Sequence, residues 1–194
     1  MTVRAETRAT FLRQGGRVAL RRVAASDQEE FVGLVEASRA LHRPWIVVPR
    51  TPEEFRTYLS RFDQTLAEGF VICLPRSGAI VGFVNVNEIV RHPYQRGIIG
   101  YGAFASTVGL GYMTEGVSLL LDYGFKNLGL HRIEADIQPG NTASLNLVRR
   151  LKFHREGFSR GFICIDGKWM DHERWAITSD ILAAQPPRSC SSSE

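Results

Sequence analysis

Two glycines one residue apart, Gly109 and Gly111, stand between a strand-like run, Gly97 to Phe104, and a helix-like segment running from about Leu110 to Asn127. Glycine lets a main chain approach a ligand closely, and the free N–H groups of a helix's first turn point at it. The helix dipole adds partial positive charge there. The arrangement suits a phosphate-bearing ligand; a plain tight turn is the alternative. About thirty residues later Asn141 and Ser144 lie three apart at the start of a short helix-like stretch, Thr142 to Lys152. That spacing puts them on one face, able to point the same way. Two groups could handle protons. Glu88 ends the alternating run Phe83, Val84, Asn85, Val86, Asn87, and Tyr101 lies within Gly97 to Phe104.

The elements that must position these groups follow in order. Arg17 to Val23 reads as a first strand. Ser26-Asp27-Gln28-Glu29 has the form of a capping box, and the spacing of Phe31, Val32, Leu34 and Val35 suits an amphipathic helix. Thr51-Pro52-Glu53-Glu54 opens a second helix, expected to reach about Glu68, with Pro52 where its missing N–H costs nothing. Phe70 to Leu74 and Ala79 to Val90 read as a hairpin around Pro75-Arg76-Ser77-Gly78. His131 to Ile137 is a further strand, and Gly129 suits a helix C-terminus. Phe158 to Ile165 and Trp169 to Ile177 close the chain as a hairpin turning at Asp166-Gly167. The glycine turn therefore sits at the carboxyl end of a central strand, where ligands of open sheets usually bind. The fold class is α+β, a mixed sheet with helices on both faces.

Composition narrows the function. With 194 residues, 44% hydrophobic and 23% charged, the chain fits one globular domain over 1–182. Residues 183–194, rich in Pro, Ser and Arg, read as a disordered tail. No apolar run approaches a membrane span, and the polar, Arg-rich start has no signal core, so a cytoplasmic protein is expected. Cys73, Cys164 and Cys190 are far apart and odd in number, which suggests neither disulfides nor a metal site; Cys73 and Cys164 read as core strand residues. A net charge of +4 without a basic block does not indicate a nucleic-acid binder.

Two blocks resemble a known family. Gly100-Tyr101 followed by Gly109-Leu110-Gly111-Tyr112-Met113-Thr114-Glu115-Gly116 resembles the acetyl-CoA loop of the GNAT superfamily of N-acetyltransferases, in its RimJ/RimL branch. Leu130-His131-Arg132-Ile133-Glu134-Ala135, Pro139-Gly140-Asn141-Thr142-Ala143-Ser144, and Leu151-Lys152-Phe153 with Glu156-Gly157 resemble that branch's following strand, Asn-x-x-Ser helix and Gly-Phe-x-x-Glu-Gly segment. Asp166 to His172 is similar to its closing hairpin. The chain departs from the pattern at Val108 and Leu110, where the branch often carries polar side chains. It departs again at Lys152, where the family has glycine.

The resemblance implies the GNAT fold, a mostly antiparallel twisted sheet of about seven strands, and acetyl transfer from acetyl-CoA to an amine in a ternary complex. The acceptor would be a protein N-terminus or a small amine. No nucleic acid, membrane or metal is involved, and the protein would be a monomer or homodimer. Backbone along Val108, Gly109, Leu110, Gly111, Tyr112, Met113 and Thr114 would hold pyrophosphate. An N–H near Phe104 or Ala105 would polarise the thioester. Asn141 would contact pantetheine, and Ser144 would stand near the sulfur. Arg149, with Arg150 and Lys152, could reach the cofactor's 3′-phosphate. His42 and Trp45, on the link between the first two helices, would help cover the acceptor. Glu88 and Tyr101 are the candidates for the base, with His172 and Glu173 behind them. The alternative is a non-catalytic acyl-CoA sensor or interaction module on the same fold.

Overall fold

The computed structural model describes residues 10–183. In chain order the elements are β1 (Arg13–Gln14), β2 (Ala19–Arg22), α1 (Gln28–Ala37), α2 (Arg39–His42), α3 (Pro52–Ser60), β3 (Glu68–Cys73), β4 (Ile80–Val90) and β5 (Arg96–Ala103). Then come α4 (Tyr112–Lys126), β6 (Arg132–Ile137), α5 (Thr142–Arg150), β7 (His154–Ile165), β8 (Lys168–Thr178) and α6 (Ser179–Ala183). The strands form one sheet in the order β1-β2-β3-β4-β5-β6-β8-β7. Every neighbouring pair is antiparallel except β5–β6. The eighth strand, beyond the seven expected, is the two-residue β1, folded onto β2 by the turn at Gly15 and Gly16.

Side chains alternate between the two faces of the sheet and sort the core into two layers, so that β3 and most of β4 are buried on both faces. On one face Leu20, Phe70, Ile72, Val84 and Val86 meet Val117, Leu120 and Leu121 of α4 and Leu145 and Val148 of α5. On the other, Phe31 of α1 and Phe55 of α3 pack with Phe83 and Phe104, their ring centroids 5.3–5.6 Å from that of Phe31. Each such side chain contributes about 2–3 kcal/mol by burial, so this cluster fixes α1 and α3 against β4 and the end of β5.

Three boundaries differ from the sequence reading. Ser26 does not cap α1. Asp27 reaches back to accept the Ala24 N–H at 2.8 Å and pairs with Arg21, so the first turn is wound tighter, over Ala25–Asp27. Thr51 does cap α3, accepting the Glu54 N–H at 3.1 Å, but α3 stops at Ser60. Beyond it the Asp63 carboxylate takes the N–H groups of Thr65, Leu66 and Ala67, which turns the chain into β3. Glu68, expected at the helix end, instead begins β3, buried and paired with Arg22 at 2.8 Å. Cys73 is buried as expected, whereas Cys164 is exposed because β7 is an edge strand with few buried positions. Cys190 and the tail expected over 183–194 lie outside the described residues, apart from Ala183, which ends α6. Among the described residues no helix is long and apolar enough to cross a membrane.

The feature that makes the site is a gap in the sheet. β5 pairs with β6 only from Arg96 to Ile98, opposite Arg132 to Glu134. Beyond that point β5 stays with β4 as far as Ala103, and β6 stays with β8 as far as Ile137. The two strands part, and their facing backbone groups have no ladder partner across the gap.

Candidate active site

The glycine loop lies at the open end of β5. Gly109 and Gly111 have φ of +82° and +77°, a region that side chains disfavour. Gly111 caps α4, so the helix starts at Tyr112, two residues later than the sequence suggested. Among the described residues no acceptor is bonded to the N–H groups of Gly109 to Thr114. These donors, at the positive end of a fifteen-residue helix, suit an anionic group such as a phosphate. Val108 and Leu110 are half exposed and offer only their backbone.

A cation absent from the sequence reading supports this loop. Arg17 Nη1 donates to the Leu110 carbonyl at 2.8 Å, and a Cβ on Gly111 would lie 3.2 Å from Arg17 Nη2. Glu115, in the first turn of α4, accepts from the Arg17 N–H at 2.8 Å and from Arg17 Nε at 2.9 Å. Partial burial pushes the Glu115 carboxyl up, but these bonds outweigh it and hold it below its usual range. Nothing in local spacing joins residues 98 apart in the chain.

Along the gap, the Ala105 N–H is not available to a thioester: it donates to the buried Ser38 Oγ at 2.9 Å. The neighbouring Phe104 N–H has no acceptor among the described residues. Tyr101 crosses to α5 and donates to the Ser144 carbonyl at 3.4 Å. Burial pushes its hydroxyl up to about 12, so it keeps its proton at neutral pH and can donate but not act as the base. Asn141 caps α5, its Oδ1 accepting the Ser144 N–H at 3.1 Å, which leaves its amide donor free. Ser144 Oγ has no bond among the described residues and is half-buried beside the same opening.

The opposite face of the gap holds a group the sequence did not single out. Ile133, Ala135 and Ile137 of β6 enter the α4–α5 core, so Arg132, Glu134 and Asp136 point to the other side. Asp136 lies past the last β5–β6 pair, with its side chain 6% exposed. Arg174, its cross-strand partner, approaches Oδ1 to 3.5 Å, yet that oxygen has no hydrogen bond among the described residues. Burial raises the Asp136 carboxyl above its usual range; Arg174 opposes the rise and Glu134 adds to it. The only sequence signal was a carboxylate at an outward strand position, which is usually a solvated one.

Glu88 stands close enough to Asp136 for its charge to add to the rise of that carboxyl. It sits on a bulge with φ of +49°, is 67% exposed, and lies 4.0 Å from Arg96 at the paired end of β5. The bulge breaks the strand alternation at this position. His172 is buried and donates from Nδ1 to the Met170 carbonyl, and Glu173 is occupied by Trp175 and Arg155. Arg149 lies over the Trp175 ring at 5.4 Å, while Arg150 and Lys152 are exposed. Lys152, with φ of +67°, occupies the left-handed position that ends α5.

His42 ends α2 and is buried. Its ring nitrogen Nε2 donates to the Ala103 carbonyl at 2.8 Å, which leaves the lone pair on Nδ1, unpartnered among the described residues. Burial lowers its pKa against the pull of that bond, so the ring is neutral. Trp45 packs against Gly140, and its carbonyl accepts from Gln138 Nε2 at 3.1 Å. It therefore anchors the α2–α3 link to the Asn141 turn. That link and the β7–β8 turn enclose a cavity of about 300 Å³.

Comparison with known proteins agrees with this architecture. Residues 17–154 match the family described as the acetyltransferase (GNAT) domain. A Bacillus subtilis (strain 168) protein named as a probable N-acetyltransferase, YjcK, is 31% identical over 172 residues, covering 84% of this chain and 95% of its own. The alanine N-acetyltransferase of ribosomal protein uS5 from Escherichia coli (strain K12) is 27% identical over 171 residues, covering 84% and 88%. Mycobacterium smegmatis RimJ, solved with CoA-disulfide, superposes with a TM-score of 0.79 at 27% identity, covering 85% of this chain and 83% of that one.

Proposed function

This chain belongs to the GNAT acetyltransferase family, and we propose that it moves an acetyl group from acetyl-CoA directly to a primary amine while both are bound. The observation that carries the proposal is the parting of β5 and β6, which leaves an opening between anion-binding backbone at one end and a buried carboxylate on the other face. A protein N-terminus is the favoured acceptor, because the relatives include an enzyme named for acetylating a ribosomal protein's alanine.

Acetyl-CoA supplies the activated thioester. The N–H groups of Gly109 to Thr114 hold its pyrophosphate, with Arg17 alongside. The Phe104 N–H is the donor placed to polarise a carbonyl in the gap. Asn141 offers its free amide to the pantetheine arm, and Ser144 Oγ a proton to the departing sulfur. Tyr101, protonated, donates on the same side. Asp136 takes the proton from the incoming ammonium or amine, directly or through a water. Its raised pKa makes it a stronger base than an ordinary carboxylate.

Release of free thiol from acetyl-CoA, measured against a panel of peptide N-termini and small amines, tests the proposal. Turnover with at least one acceptor is expected. Tight acetyl-CoA binding with no release from any acceptor would reduce the protein to a CoA-binding module.

A further inference from the structure

The cavity between the α2–α3 link and the β7–β8 turn carries a strongly one-sided charge. Arg39, Arg43, Arg50 and Lys168 line it, against the single carboxylate of Asp166. Arg39 is partly neutralised by Glu36 at 3.0 Å. Arg43, Arg50 and Lys168 have no ion-pair partner among the described residues. A cluster of unpaired cations around a concavity repels itself and attracts an anion.

Two residues that line the cavity also lead to the reaction gap. His42 lines it and bonds to the Ala103 carbonyl at the open end of β5. Met170 lines it too, and shares a face of β8 with Arg174, the cross-strand partner of Asp136. Met170 and Arg174 are four positions apart along β8, about 13 Å, a span that three to four extended acceptor residues cover.

On the reading that Asp136 receives the amine, we infer that the acceptor is an acidic peptide N-terminus. Its α-amine lies at Asp136, and carboxylates within its first five residues or so lie among Arg43, Arg50 and Lys168. The Asp136 carboxylate at the gap suits an amine, and the cations lining the cavity suit acidic side chains. A polyamine, cationic at both ends, meets repulsion in the cavity. A free amino acid is too short to span the two.

The test measures kcat and KM for thiol release with acetyl-CoA and three peptides sharing an N-terminal alanine: one followed by Asp and Glu, one by Asn and Gln, one by Lys. Free glutamate and spermidine complete the set. The acidic peptide should show a KM about ten-fold below its amide counterpart, with the advantage shrinking as salt rises. R43E combined with R50E should invert the order of the acidic and basic peptides. An equal KM for acidic and amide peptides, a preference for spermidine or glutamate, or an unchanged order in the double variant would overturn the inference. Calorimetric titration of the same peptides into the protein with CoA reads the cavity without turnover. Tighter acidic binding with no thiol release would keep this inference and remove acetyl transfer; absence of a charge preference in binding would remove the inference and leave transfer standing.

Discussion

Arg17 and Glu115 clasp the glycine loop from opposite parts of the chain. Glu115 accepts from both the backbone and the side chain of Arg17, and Arg17 in turn holds the Leu110 carbonyl. Gly15 fits beside this pair because it has no side chain: a Cβ there would lie 2.4 Å from Glu115 Oε1. The short β1–β2 hairpin thus orients the first turn of α4.

An exposed ion pair contributes at most about 1 kcal/mol to folding, so the larger effect of Arg17 should fall on the ligand. Arg17→Ala is expected to weaken acetyl-CoA binding about ten-fold, near 1.4 kcal/mol, while lowering Tm by only ~2–4 °C. Calorimetry and thermal melting check this. An unchanged Kd would leave the clasp a purely structural one.

Gly111→Val should remove binding altogether. Valine resists φ of +77° by about 1–2 kcal/mol, and its Cβ would press on Arg17. The wild-type protein should gain several degrees in Tm at saturating acetyl-CoA. The variant should fold but show no gain, and a gain of normal size would contradict the loop's role.

Asp136→Asn should lower kcat/KM by about 10²–10⁴. In the wild type the rate should rise with pH as Asp136 loses its proton, and the variant should lose that acid limb. Stability runs the other way. Because the native carboxyl keeps its proton to higher pH than the unfolded one, stability falls as pH rises from the ordinary carboxyl range through the raised native pKa. The variant should therefore be as stable as the wild type or more so at pH 7. A lost rate together with lost stability would point to misfolding instead.

Ser144→Ala and Tyr101→Phe separate the two donors near the sulfur. Each should slow turnover by about ten-fold or more and leave the acetyl-CoA Kd within two-fold. Since Tyr101 titrates only near pH 12, its removal should not move the pH profile below pH 10 or so. A parallel rise in Kd would reassign either residue to binding.

Lys152→Gly should stabilise the protein by about 1 kcal/mol, or ~2–4 °C in Tm. Lys152 is exposed and left-handed; its N–H bonds the Arg149 carbonyl, and the Phe153 N–H bonds the Val148 carbonyl. A fall in Tm would mean that the lysine side chain makes a compensating contact.

The sequence alone determined what local chemistry and periodicity can carry. The glycine pair between strand and helix suggested a turn with freed N–H groups, Thr51-Pro52-Glu53-Glu54 opened a helix, and Asn141 and Ser144 shared a helix face. These depend on neighbours in the chain, so spacing reveals them. The motif blocks also placed the chain among acetyltransferases. What the tertiary structure decided depends on residues distant in sequence. Ser38 takes the Ala105 N–H from across 67 positions, Arg17 reaches Glu115 across 98, and a bulge breaks the β4 alternation at Glu88. Asp136 is an outward strand residue in any pattern analysis. It becomes a buried carboxylate with an oxygen lacking a hydrogen bond among the described residues only because β5 departs from β6 two residues earlier while Arg174 and the neighbouring strands exclude water. Its desolvation is a property of that assembly, and no run of local residues encodes it.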